Sequence, residues 1–247
     1  MSQFNLTASQ AAPEGVTGEI TTVLTSTNAR LSAATSSPFQ LYNKLEGDMK
    51  KGDIIFFACG LVYSSNVTAA LGPSFTTSWT ELKTANTGGS YNVSMAVHYH
   101  VLDHDSSGMY LGMDGDQYHS LTVASMNPAA IAFVLRGVDP DSISAVTRTA
   151  SNTAYATFNP IEITSSDYIL AVGYSGANFS SLTHTLPSDF INSASQNTNY
   201  KSGNNTLASV LLRKPEVSGS YTETTWQTSA DNSAYTNATC AIKLTPL

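Results

Sequence analysis

An all-β fold, a β-sandwich or jelly roll built from two tandem pseudo-symmetric repeats, is what this sequence predicts. Three observations point there. Short runs rich in Val, Ile, Tyr, Phe and Thr are separated by clusters of Gly, Pro, Asn and Ser, as strands are by turns. No segment keeps apolar residues at helical spacing through several turns. The chain also resembles itself: "KKGDIIFFACGLVYSS" returns as "TSSDYILAVGYSGANFSS", and "SMAVHYHVLDHDSSGMY" returns as "TLASVLLRKPEVSGSY".

Taken in order, residues 1–27 are a polar, Thr-rich leader and read as an arm that docks on a neighbouring subunit. The first repeat covers 28–139. Its strand "DIIFFACGLVY" is apolar on both faces over part of its length, so it is expected to be central, covered on one side by a sheet and on the other by loops or a neighbouring subunit. A turn with Pro73 and Trp79 follows, then the strand "AVHYHVLD", a glycine turn, and a closing strand "AAIAFVLRGVD". The second repeat covers 140–247. It sets Asp167 against Asp53, Phe190 near Trp79, Val210 and Leu212 against His98 and His100, Glu216 against Asp105, Gly219 against Gly108, Tyr221 against Tyr110, and Lys243 against Arg136. The linker "VDPDSISAV" is short and not flexible in composition, which favours one sandwich over 28–247 with each repeat contributing to both sheets.

Composition narrows the function. The 247 residues suffice for a sizeable core, yet only 12% are charged and the net charge is -7. With 11 basic residues and no basic run, nucleic acid is not an expected partner. The start "MSQFNLTASQ" lacks the basic and apolar regions of a signal peptide, and no apolar run is long enough to span a bilayer. The expectation is a soluble chain made in the cytosol, with no membrane partner and with Cys59 and Cys240 as buried, reduced thiols in strands.

The stretch "HYHVLDHDSSGMYLGMDGDQYH", residues 98–119, is the densest source of candidate ligands. His98 and His100 are two apart, hence on one face of a strand, and Asp103, Asp105 or His119 could complete a tetrahedral metal site. Asp103, Asp105, Ser107 and Asp114, with Gly108 between them, follow the ligand order of a calcium loop. Against this, the twelfth position is Asp rather than Glu, the flanks read as strands, and the second repeat retains the glycine turn while losing the ligands. A plain hairpin with no cofactor is the preferred reading, with calcium or another divalent ion at Asp103, Asp105, Ser107 and Asp114 as the first alternative and a His-based transition-metal site as the second.

No catalytic residue is assigned, and the chain reads as a non-enzyme. "GYSGA" lacks the final glycine of a nucleophile elbow, and nothing fixes Glu81 at a working distance from Asp114 or Asp116. Trp79 and Trp226 are candidate contacts for a glycan or a protein partner, because indole planes stack on sugars and anchor interfaces. Trp226, among alternating polar residues, is the better placed for a surface role.

The succession "KGDIIFFACGL", Pro73 with "SWTEL", "AVHYHVLD" and "AFVLRGVDP" resembles a family of β-sandwich modules of tailed bacteriophages, well over 48–140 and more faintly over 165–246. This chain departs from it in the residues inserted between Pro73 and Trp79 and in His98 and His100. The resemblance implies a virion structural protein on the particle surface, in a tail, a fibre or a capsid decoration. Its partners would be copies of itself and other virion proteins. The alternative function is a carbohydrate-binding adhesin module that contacts host-surface glycans, calcium-dependent through the 103–114 turn.

Overall fold

The computed structural model describes residues 18–26, 43–63, 79–86, 92–111, 127–151, 157–177, 183–185, 191–198, 205–223, 227–229 and 236–247. Over these the chain is all-β, with one short 3₁₀ turn at Pro140–Ser142. The strands of the first half are β1 (Thr21–Ser26), β2 (Asn43–Met49), β3 (Ile54–Tyr63), β4 (Thr80–Asn86), β5 (Asn92–Val101), β6 (Ser106–Leu111) and β7 (Asn127–Arg136). Those of the second are β8 (Ser144–Ser151), β9 (Ile161–Ile163), β10 (Tyr168–Ala177), β11 (Thr183–Thr185), β12 (Ile191–Thr198), β13 (Asn205–Arg213), β14 (Gly219–Tyr221), β15 (Gln227–Ser229) and β16 (Thr236–Leu244).

Two five-stranded antiparallel sheets result, with the orders β1-β7-β3-β5-β4 and β12-β13-β10-β16-β8. Each sheet therefore takes all its strands from one half of the chain. This corrects the expectation that both halves feed both sheets, and local chain connectivity explains it, since strands close in sequence pair most readily. The halves meet face to face instead. One core joins Ile54, Phe56, Val97, Phe133 and Leu135 of the first sheet to Leu170, Val172, Tyr174, Leu212 and Ile242 of the second. Full burial of side chains of this size contributes about 1.5–3 kcal/mol each before conformational entropy is counted.

Because side chains alternate, the residues between these point outward, yet many are buried too. On the second sheet Ile169, Ala171, Leu211 and Ala241 lie under Phe158, Ile161 and Ile163, which the β9–β14 ribbon and the segment before it supply. On the first sheet Ile55 and Phe57 are buried, and the β2–β6 ribbon brings in the equally buried Leu45 and Met49. The double-sided apolar strand β10 is thus covered on one side by the opposite sheet and on the other by the β9–β14 ribbon, and β3 is likewise buried on both faces.

The leader is corrected over residues 18–26, while 1–17 and 27 lie outside the described residues. Thr21–Ser26 is not an arm held on a neighbour but the edge strand of the first sheet, antiparallel to β7, with Ile20 in the core. Its mixture of Thr with Val and Leu suits a half-covered edge strand. Gly47 makes room for it, as a Cβ there would stand 2.5 Å from Leu24 Cδ2.

The edges differ in regularity. β1, β4 and β12 each carry a register break, between Thr22 and Leu24, Glu81 and Lys83, and Ile191 and Ser193. β8 pairs with β16 without a break, and the Asn159 side-chain amide donates to its Thr147 carbonyl at 2.7 Å.

The two halves are tied at one end. Val138 forms an isolated bridge with Pro246, Asp139 N–H donates to the Thr245 carbonyl at 2.9 Å, and Leu247 N–H donates to the Gly137 carbonyl at 2.9 Å. The linker between the halves is therefore a fixed joint, capped by the Asp139 side chain, which accepts from Asp141 N–H.

Candidate functional site

Polar chemistry concentrates where the central strands begin. In the first sheet the turn Lys50–Asp53 is closed by its own aspartate: Lys50 N–H donates to Asp53 Oδ2 at 2.7 Å and Asp53 N–H to the Lys50 carbonyl at 3.0 Å. Gly52 adopts φ 91°, a left-handed conformation that glycine accepts without strain. Asp53 is 1% exposed, and Arg136, from the end of β7, grips it with both arms at 2.8 Å. The same guanidinium donates to the Asp48 carbonyl at 3.1 Å. The Asp53 carboxylate thereby raises the Arg136 pKa further above its ordinary value.

The second sheet repeats the geometry with different chemistry. Thr164 N–H donates to Asp167 Oδ2 at 2.8 Å and Asp167 N–H to the Thr164 carbonyl at 3.1 Å. In place of a guanidinium, the Thr245 hydroxyl donates to Asp167 Oδ1 at 2.7 Å. Burial works to raise the Asp167 pKa, but the hydrogen bonds from Thr245 and Thr164 outweigh it and hold the carboxyl below its ordinary value.

Strand register corrects the residue pairing expected between the halves. Ile54 faces Leu135 and Tyr168 faces Leu244, so Arg136 occupies the place of Thr245, not of Lys243. Phe57 faces His98 and Ala171 faces Leu211; Ile55 faces His100 and Ile169 faces Arg213. His98 and His100 therefore correspond to Leu211 and Arg213, one residue beyond Val210 and Leu212. In a strand that single step is a change of face. Val210 and Leu212 point into the core between the sheets, whereas both histidines point outward. Asp105 likewise matches Ser218 rather than Glu216. Lys51 N–H donates to Asp105 Oδ1 at 2.9 Å, and Ser165 N–H donates to Ser218 Oγ at 3.0 Å.

The histidine face carries the most varied side chains. His98 is 3% exposed, opposite Phe57 on one side and Glu81 on the other, with its Nε2 3.9 Å from Glu81 Oε2. Burial pushes its pKa down to about 4. His100 is half-buried and stacks on Trp79 at 5.4 Å and 29°, while Trp79 meets Phe57 edge-on at 6.4 Å. On the second sheet Arg213 takes the corresponding place and donates to the Tyr221 hydroxyl at 2.9 Å, beside the buried Glu223.

The calcium candidates are not drawn together by the described residues. Asp103 is exposed and paired with His104, Asp105 is engaged by Lys51 N–H and lies 3.4 Å from Lys50 Nζ, and Ser107 is exposed within β6. Asp114 lies outside the described residues, as do Asp116, His119, Pro73, Phe190 and Trp226. Among the described residues no three His, Cys, Asp or Glu side chains come together as metal ligands would. Cys240 is buried as a free thiol, its pKa pushed up to about 12 by burial; Cys59 lies in β3.

Comparison of the chain with protein-family models, with curated proteins and with solved structures returns no match. What the site can do must be read from its own geometry. The Asp53–Arg136 clasp, missed by sequence reasoning that set Arg136 against Lys243, was signalled only by the acid before β3 and the base ending β7.

Proposed function

We propose that this chain is a structural protein of a bacteriophage particle, displayed on its surface as a tail, fibre or capsid-decoration component. It works by contact with copies of itself and with other virion proteins. One observation carries the reading: the two segments on which the phage resemblance rests, Lys51-Gly52-Asp53 and Arg136-Gly137-Val138-Asp139, meet in the Asp53–Arg136 clasp. Residues 83 apart in sequence that share a motif and also share an ion pair are supporting one architecture. The polar groups at this end hold turns and strand ends, the work of a rigid building block.

The reading extends to the architecture. The order β1-β7-β3-β5-β4 has its counterpart in β8-β16-β10-β13-β12, and the ribbon β2–β6 in β9–β14, which supports two copies of one unit packed as a pseudo-symmetric sandwich. Immunogold labelling of intact particles with an antibody to this chain tests the function. Gold on the particle surface is the expected result. Unlabelled particles, with the chain recovered only as free monomer, would overturn it. Glycan binding lost in Trp79→Ala would move the assignment to the adhesin reading.

A further inference from the structure

We propose that the Asp139–Pro140 peptide bond, at the joint between the two halves, is a self-scission site that turns one chain into two pieces held in a single sandwich. It is the only Asp-Pro pair in the sequence. Such a bond is intrinsically weak. The proline nitrogen carries no hydrogen and leaves as a basic secondary amine, while the preceding carboxylate can close a five-membered ring on its own carbonyl carbon.

The fold arranges the rest. The Asp139 carboxyl is folded towards the peptide that follows it, since Oδ1 accepts from Asp141 N–H at 3.0 Å. The Asp139 carbonyl oxygen accepts from both donors of Ser142, the hydroxyl at 2.7 Å and the N–H at 3.2 Å. Ser142 Oγ in turn accepts from Thr245 N–H at 3.1 Å, which leaves its own proton for Asp139. Asp139 N–H is tied to the Thr245 carbonyl at 2.9 Å. Nucleophile, carbonyl and oxyanion donors are thus held in place before any reaction, as preorganised acyl transfer requires.

The step balances with water alone. An Asp139 carboxylate oxygen attacks the Asp139 carbonyl carbon and pushes an electron pair onto the carbonyl oxygen, where the two Ser142 donors meet the charge. As that pair returns the C–N bond breaks, and the Pro140 nitrogen keeps the bonding electrons and takes a proton from solvent. The cyclic anhydride left on Asp139 adds one water and opens to two carboxylates, one the side chain and one a new chain end. Asp139 and Pro140 are half-buried and Asp141 is exposed, so solvent reaches the joint. The cut pieces stay together, because each carries one five-stranded sheet of the shared core and Val138 on the first remains bridged to Pro246 on the second.

Mass spectrometry of the full chain, incubated at about pH 5.5 both folded and in concentrated urea, tests this. Pieces ending at Asp139 and beginning at Pro140, with masses that sum to the parent plus one water, should accumulate roughly tenfold faster from the folded chain. Without urea they should co-elute at the size of the intact protein. Asp139→Asn, which keeps an oxygen for Asp141 N–H, should stop the cut. Ser142→Ala should slow it roughly tenfold, the weight of one ordinary hydrogen bond to the oxyanion, and Ser142→Thr should restore it. No cut in the folded chain, a rate no higher than in urea, a rate untouched by Ser142→Ala, or a cut that survives Asp139→Asn overturns the proposal. The urea comparison stands even if a variant does not fold.

Discussion

The two sheets begin their central strands with the same aspartate turn, yet they fasten it differently. Asp53 is gripped by a guanidinium through two bonds of 2.8 Å, while Asp167 takes the Thr245 hydroxyl at 2.7 Å and the hydroxyl of its own turn's Thr164 at 3.0 Å. Both solutions satisfy a buried carboxylate. What differs is the consequence of losing the partner: a charge left alone in one sheet, a hydrogen bond fewer in the other. The outer faces diverge in the same sense, His98 and Glu81 on the first where the second has Leu211 and Ser193. Geometry is held in common while the aspartate turn is fastened by a counter-charge in one half and by neutral hydroxyls in the other.

The largest test of that contrast is Arg136→Ala. It strands the Asp53 carboxylate and should lower unfolding free energy by about 3–5 kcal/mol, read from urea denaturation at pH 7. The next is pH. His98 binds its proton near the ordinary 6.5 in the unfolded chain and near 4 in the fold. Stability is therefore full above pH 6.5 and falls as pH drops from 6.5 towards 4, by about 2–3 kcal/mol in total. In His98→Leu that share of the loss should vanish, measured by repeating the denaturation at pH 7 and 4.5.

A smaller effect is expected from Thr245→Val, about 1 kcal/mol in the same assay, because a hydroxyl and not a counter-charge is removed. A cost equal to that of Arg136→Ala would erase the distinction between the two fastenings. Least of all, calcium or a chelator should leave Tm unaltered, since Asp105 is already engaged by Lys51 N–H and Lys50. A rise of several degrees with calcium would restore the 103–114 turn as an ion site.

Much of the fold was legible because its strongest strands are apolar on both faces. β3 and β10 stand out in sequence, and their shared preceding aspartate located both turns. Register was not legible. Matching Ala96 to Ala208 by identity placed His98 on Val210, whereas hydrogen bonding sets it on Leu211. Identity rewards like letters, but a pleated strand distinguishes inside from outside at every step, and the turns absorb the odd residue. β1 was hidden for another reason: "TTVLTS" is polar enough to pass for a tail, and only its pairing with β7 gives it a place. Likewise, Asp103 and Asp105 are adjacent in a ligand-like spacing, yet one turns to His104 and the other to Lys51.

The four sheet margins bear on life at high concentration. Three are kinked by a register break, and on the fourth a carboxamide from Asn159 holds the Thr147 oxygen that an incoming chain would seek. At these four margins of the two five-stranded sheets, a stray strand from another molecule meets a ladder that is interrupted or held at one of its oxygens. Identical copies crowded side by side are thereby discouraged from pairing edge to edge there.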